Sequence, residues 1–266
     1  MLDAKTVDAY LERIGAKRPE RPTTQALAHL HERHVLSVPF ENIDFALGRP
    51  SPPVGLGEPA LDKIIGQNRG GCCYELNGAF YELLLSLGFD VLPLAGRVLE
   101  DGEFGPLLGH LTLGVQTEDG DGPWLADVGY GQGFRRPLLL ASRAPQPDAQ
   151  GTFELVETSL GDLDLLRDGE VQYRLELRPR ELADFAPMVW WFRSAPQSPF
   201  LARQVCSLPT ADGRVTLAGR TLTRTVGGDK TKRELTDDQA VLDAYRTWFG
   251  IELAAPPPTT GAPQDN

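Results

Sequence analysis

Two glycines ahead of an apolar-periodic run constrain this chain most. Gly70 and Gly71 precede Cys72-Cys73-Tyr74-Glu75-Leu76-Asn77. From there Leu76, Ala79, Phe80, Leu83, Leu84 and Leu87 recur at helical spacing until Gly88. The pattern predicts a turn, an amphipathic helix and a glycine stop. It also delivers a cysteine to the first turn of that helix. Unpaired N–H groups and the positive end of the helix dipole converge there and favour an anion, so a thiol ionises more easily.

The rest of residues 1–90 also reads as helical. Val7, Tyr10, Leu11 and Ile14 form one apolar stripe, ended by Gly15. Thr23 or Thr24 caps a second helix that runs to about His34. Ser51 to Gly57 is a Pro/Gly loop, and Glu58 to Gln67 carries Leu61, Ile64 and Ile65 as a short third helix. From about residue 91 the pattern changes to short alternating runs: Val91–Leu99, His110–Gln116, Trp124–Tyr130, Phe153–Thr158 and Tyr173–Arg178. Asp-Gly pairs at 101–102, 119–120 and 121–122 mark hairpin turns. Residues 196–209 read as irregular. Val215–Leu217 and Thr221–Thr225 suggest a hairpin, Asp237 to Phe249 a helix, and 256–266 a disordered tail.

A chain of 266 residues with 41% apolar and 24% charged residues has the material for a sizeable core. Its net charge of −11 argues against a nucleic-acid partner, which calls for a basic face. There is no apolar run long enough to cross a membrane and no signal-like start. Three cysteines, Cys72, Cys73 and Cys206, suit a reducing compartment, which points to the cytoplasm.

A candidate nucleophile needs a base, and the base needs a carboxylate to fix its tautomer. Four histidines are available. His29, His31 and His34 fall in one helical segment. His31 and His34 share a face there, but nothing nearby completes a metal site, and the reading is of solvated helix residues. His110 is different, because it begins the strand His110-Leu111-Thr112-Leu113-Gly114-Val115, and Asp127 follows across a hairpin tip. A two-residue turn at Asp119-Gly120 pairs His110 with Gly129 and puts Asp127 diagonally beside it. A turn at Glu118-Asp119 puts the two directly opposite. A turn at Asp121-Gly122 separates them by two pairs. A lone cysteine at a helix start is more often inert than reactive, so spacing alone leaves the Cys-His-Asp set as one reading among several.

The segment Arg69-Gly70-Gly71-Cys72-Cys73-Tyr74-Glu75-Leu76-Asn77 resembles the arylamine N-acetyltransferase signature, Arg-Gly-Gly-x-Cys-x-Glu-(Leu/Gln)-Asn. Val38-Pro39-Phe40-Glu41-Asn42-Ile43-Asp44 is similar to that family's Val-Pro-Phe-Glu-Asn segment. Asp127-Val128-Gly129-Tyr130-Gly131 is similar to its Asp-Val-Gly-Phe-Gly. Ser198-Pro199-Phe200 and Cys206-Ser207-Leu208-Pro209-Thr210 resemble its later interdomain stretch. The motifs follow the family's order over most of the chain. The resemblance implies an α+β protein with a Cys-His-Asp thiol-enzyme core, built as a helical bundle (1–90), a β-barrel (91–195) and an interdomain segment with an α/β lid (196–255). It implies Cys73 as the nucleophile, Cys72 as a bystander, and His110 and Asp127 as base and orienter. Phe40, Val98, Gly129, Tyr130 and Phe200 carry over as substrate-pocket residues. Tyr130 stands where the family commonly has Phe, and Gly109 where Thr is common, which bears on acceptor choice.

The implied reaction is ping-pong acetyl transfer. The Cys73 thiolate takes the acetyl group of acetyl-CoA as a thioester, and an arylamine, arylhydrazine or similar amine removes it, with the backbone N–H of Cys73 as one oxyanion donor. No tightly bound cofactor or metal is expected, and acetyl-CoA is a co-substrate. Two enzymatic alternatives keep the triad: an amide synthase of polyketide-type biosynthesis, and a thiol hydrolase. A third reading is an inactive thiol-bearing scaffold.

Overall fold

The structure, a computed structural model, describes residues 1–46, 54–120 and 122–258. Residues 51–53 of the Pro/Gly loop, Asp121 of the hairpin tip and residues 259–266 of the tail lie outside the described residues. Pro257, inside the stretch read as a disordered tail, is buried.

The N-terminal part packs α1 (Ala4–Ile14) and α2 (Thr24–Ser37) against α4 (Cys73–Ser86). Between them come the two-residue strand β1 (Phe40–Glu41) and the short helix α3 (Ile43–Ala46). The stripe Val7, Tyr10, Leu11 and Ile14 is buried as its spacing requires, and Gly15 closes α1 in the left-handed region at φ 63°. Asp3 caps α1 and Thr23 caps α2. α4 is the central element: every residue from Cys73 to Phe80 is buried. The short third helix is instead a 3-10 turn over Glu58–Ala60 followed by a π-turn over Asp62–Gly66.

Nine antiparallel strands follow and curl into a nearly closed barrel: β2 (Asp90–Glu100), β3 (Glu103–Phe104), β4 (His110–Gln116), β5 (Trp124–Ala126), β6 (Leu138–Leu139), β7 (Gln146–Asp148), β8 (Gly151–Glu157), β9 (Leu163–Arg167) and β10 (Glu170–Glu176). The sheet order is β6-β5-β4-β2-β10-β9-β8-β7, with β3 on the outer end of β2. The Gln146 side chain spans the seam from β7 to β6. It accepts from the Leu139 N–H at 2.8 Å and donates to the Leu139 carbonyl at 3.2 Å, supplying strand-like bonds where no strand reaches.

The β4–β5 register decides the site. Leu113 pairs with Ala126, Gly114 with Leu125 and Val115 with Trp124. That is the register of the Asp119-Gly120 turn. β5 ends at Ala126, four residues earlier than the alternation suggested. Asp127 turns its own carboxylate back onto the N–H groups of Gly129 (3.1 Å) and Tyr130 (3.0 Å), an Asx turn that takes the chain out of the sheet.

The last part begins with α5 (Ala186–Ser194) and α6 (Pro199–Ala202). A five-stranded sheet follows in the order β1-β11-β12-β13-β14, formed by β1 with β11 (Val205–Thr210), β12 (Gly213–Ala218), β13 (Thr221–Val226) and β14 (Asp229–Glu234). α7 (Asp238–Phe249) packs Val241, Ala244, Tyr245 and Phe249 onto Val215, Leu217 and Leu222 of this sheet. Residues 196–209 are therefore irregular only at 196–198 and 203–204. Pro199 starts α6, and Pro209 sits inside β11 opposite Arg214. Phe40 and Glu41 pair with Ser207 and Cys206, so a strand from the helical part belongs to this sheet.

Candidate active site

Cys73 is the first residue of α4. The two segments that carry the sequence motifs brace it from below. Gly70 lies so close to the Pro39 carbonyl that a Cβ there would overlap it. The Glu41 N–H donates to the Gly71 carbonyl at 2.9 Å. The charges of the same segments pair in the interior. Arg69 donates to Glu41 at 2.7 Å and to Asp44 at 3.0 Å. Lys63 reaches Asp44 at 2.7 Å, Glu75 at 3.0 Å and Glu41 at 3.4 Å. Glu75 in turn accepts the Cys72 N–H at 3.0 Å and so caps the helix that carries the thiol. Burial works against the positive charge of Lys63, but the fields of Glu41, Glu75 and Asp44 outweigh it and raise its pKa.

His110 and Asp127 meet above this helix start. His110 Nε2 lies 2.7 Å from Asp127 Oδ2, with His110 2% and Asp127 1% exposed. Oδ1 of Asp127 accepts from Asn77 Nδ2 at 2.8 Å as well as from the two loop amides. Asn77 also donates to the Leu111 carbonyl and accepts the Val128 N–H, so one α4 side chain ties β4 to the loop after β5. Gly129 presses on the helix start: a Cβ there would sit 2.7 Å from the Cys73 Cα. That contact requires glycine.

The electrostatics favour an ion pair. Burial alone would raise the Cys73 pKa, but hydrogen bonds from Cys72 and His110, together with the His110 charge, pull it down to about 5. Burial alone would lower the His110 pKa, but the Asp127 charge and hydrogen bond, with Cys73 adding to them, push it up to about 10. The Asp127 carboxyl stays below its usual value, because His110 and Asn77 outweigh its burial. With Nε2 on Asp127, the Nδ1 side of the ring is left for the sulfur. The Cys72 thiol is pushed well up by burial and by the bond it gives to Cys73.

The residues expected to line a substrate pocket distribute unevenly. Tyr130 lies edge-on to His110 at 5.8 Å and bonds Gln172 at 3.3 Å. Val98 pairs with Tyr173 across β2 and β10, and Tyr173 packs on both His110 and Tyr130. Phe40 meets Phe200 at 6.2 Å, and Phe200 packs on Phe45 and Phe192. Phe40 and Tyr130 line a slit of about 20 Å3. Gly109 closes on the Pro106 carbonyl, which leaves no room for a threonine without a shift.

His31 and His34 read from sequence as solvated, yet both are fully buried. The signal was present: Leu27, Leu30, His31, His34 and Val35 lie on one helical stripe. Lys63 and Tyr173 had no such signal, since their partners come from distant segments. Among the described residues no group of three or more His, Cys, Asp or Glu side chains is arranged to hold a metal ion, and no helix is long and apolar enough to cross a membrane.

A family model described as N-acetyltransferase matches residues 23–257, which gives the class. Relatives and solved structures narrow it. The arylamine N-acetyltransferase of Mycobacterium tuberculosis is 32% identical over 259 residues, covering 94% of this chain and 91% of that protein. Arylamine N-acetyltransferase 1 of Homo sapiens is 32% identical, with 93% and 94% covered. The Mycobacterium smegmatis enzyme superposes with a TM-score of 0.86 at 32% identity over 95% of this chain and 93% of that one. The Mycobacterium marinum enzyme, solved in complex with CoA, gives 0.84 at 30% identity, with 92% of each chain covered. The chain belongs to the arylamine N-acetyltransferase family.

Proposed function

We propose that this protein moves an acetyl group from acetyl-CoA to the nitrogen of an arylamine, arylhydrazine or similar amine, with Cys73 as the carrier and His110 and Asp127 as base and orienter. The observation that carries the reading is the buried Cys73–His110–Asp127 arrangement at the start of α4, with its 2.7 Å His110–Asp127 bond. Family membership, and a relative solved with CoA bound, support acetyl-CoA as donor.

In the first half-reaction the Cys73 thiolate attacks the thioester carbonyl. The carbon–sulfur bond to CoA breaks, and the departing sulfur takes the proton held on His110. The acetyl group remains on Cys73 as a thioester. In the second half the amine nitrogen attacks that carbonyl, neutral His110 accepts the amine proton, and the amide leaves as the Cys73 thiolate reforms. An aromatic amine or hydrazine suits this step because it is neutral at pH 7 and keeps its lone pair. Asp127 keeps Nε2 occupied, so Nδ1 is the nitrogen that exchanges the proton. The three free thiols fit a reducing compartment, so the cytoplasm is the proposed location.

CoA release from acetyl-CoA, measured with and without an arylamine, tests the reading. Amine-dependent release supports the transferase. Release at the same rate without amine makes the protein a thiol hydrolase instead.

A further inference from the structure

One imidazole holds both ends of the loop that starts at Asp127. His31, on α2, is fully buried. Its Nδ1 lies 2.8 Å from the Arg135 carbonyl, and its Nε2 lies 3.0 Å from the Asp127 N–H. A carbonyl only accepts and a backbone N–H only donates, so Nδ1 carries the proton and Nε2 the lone pair. Neither the other tautomer nor the imidazolium makes both bonds. The ring lies nearly parallel to Phe134 (centroids 5.5 Å apart, 13° between planes) and edge-on to Phe80 of α4.

The position of the Asp127 N–H explains why the bond is needed. β5 ends at Ala126, so this donor has no strand partner and is buried. His31 supplies the acceptor that a longer strand would have supplied. The same ring then fixes Arg135, eight residues on. Between the two bonds lie Gly129, pressed against Cys73, and Tyr130, edge-on to His110.

We propose that His31 is a positioning residue that staples residues 127–135 into a closed loop, setting the direction from which Asp127 meets His110 and from which Tyr130 faces the acceptor. The inference rests on the role given to Asp127 under the proposed function. His34 is the internal control. It lies one turn along the same face of α2, equally buried, and bonds Tyr10 at 3.0 Å without a bond to the loop.

Three variants separate the staple from simple packing. His31→Leu removes both bonds. His31→Gln keeps an amide oxygen for the Asp127 N–H. His34→Leu leaves the staple intact. The readouts are the rate of Cys73 acetylation by acetyl-CoA (followed by intact mass), its dependence on acetyl-CoA concentration, and thermal stability. Loss of a buried backbone partner predicts acetylation slowed roughly tenfold or more in His31→Leu. The half-saturating acetyl-CoA concentration should change less than about twofold, and His31→Gln should recover most of the rate. His34→Leu should acetylate within about twofold of the parent whatever its stability. A folded His31→Leu protein that acetylates like the parent overturns the proposal, as does an equal rate loss in His34→Leu. Should His31→Leu fail to fold, the ring nitrogens of the unmodified protein decide by long-range 1H–15N NMR. An Nδ1–H tautomer supports the staple, and an imidazolium or Nε2–H ring overturns it. If the parent protein itself is not acetylated, the proposed function fails, while the NMR result still tests the staple.

Discussion

His110 Nε2 meets Asp127 Oδ2 at 2.7 Å although the two residues are not a ladder pair. They are diagonal neighbours beyond the last paired residues of β4 and β5. The carboxylate reaches the ring because Asp127 has already left the strand and turned back on its own amides.

That geometry sets the pH range of the thiol. The Cys73 pKa of about 5 lies below that of a free thiol, and the His110 value of about 10 lies above that of a free imidazole. Thiolate is therefore present above about pH 5, and its imidazolium partner persists below about pH 10; the two apparent values belong to the pair. Alkylation of Cys73 by iodoacetamide, followed against pH, should rise through about 5 and then stay level through neutral pH. A single rise near 8 to 9 would mean an ordinary thiol with no ion pair.

Asp127→Asn keeps an oxygen for the Gly129 and Tyr130 amides but cannot hold the charge opposite His110. Steady-state acetyl transfer should fall about a thousandfold or more with the protein still folded, the pattern seen when an orienting carboxylate is neutralised. Activity within tenfold of the parent would remove Asp127 from the mechanism.

Cys72 gives the thiol a hydrogen bond but no carbon–sulfur chemistry in this account. Cys72→Ala should keep the acetyl group on Cys73 and raise the midpoint of the alkylation profile. An unchanged midpoint would mean that the Cys72 bond does not tune Cys73.

Removing Lys63 leaves Glu41 and Asp44 sharing Arg69 and takes away the cation that pairs with Glu75. Breaking one partner of a buried ion network typically costs about 3 kcal/mol or more. Chemical denaturation of Lys63→Met should show a loss of that order. A change under about 1 kcal/mol would place these charges in a far more solvated setting than the structure gives them.

Much of this was legible from local pattern. The α1 stripe and the start of α4 at Cys73 follow from periodicity, because each is decided by residues close in sequence, and the observed β4–β5 register is one of the three that the possible turns left open. What escaped was decided by contacts across the chain. β14 is Asp-Lys-Thr-Lys-Arg-Glu, an exposed edge strand with no apolar alternation to reveal it. Lys63 meets its carboxylates only once α3 and α4 have packed. Asp127 belonged to an alternating run but had a better partner in its own loop. His31 stands in a legible apolar stripe, but the polarity of its side chain masks the burial that its position implies.

Under the proposed function Cys73 carries the acetyl group. Intact-mass measurement after mixing with acetyl-CoA, without amine, tests it directly. The account requires the gain of one acetyl group that maps to Cys73, disappears in Cys73→Ser, persists in Cys72→Ala, and is discharged when an arylamine is added. No adduct on the folded protein, or an adduct that survives in Cys73→Ser, would contradict it.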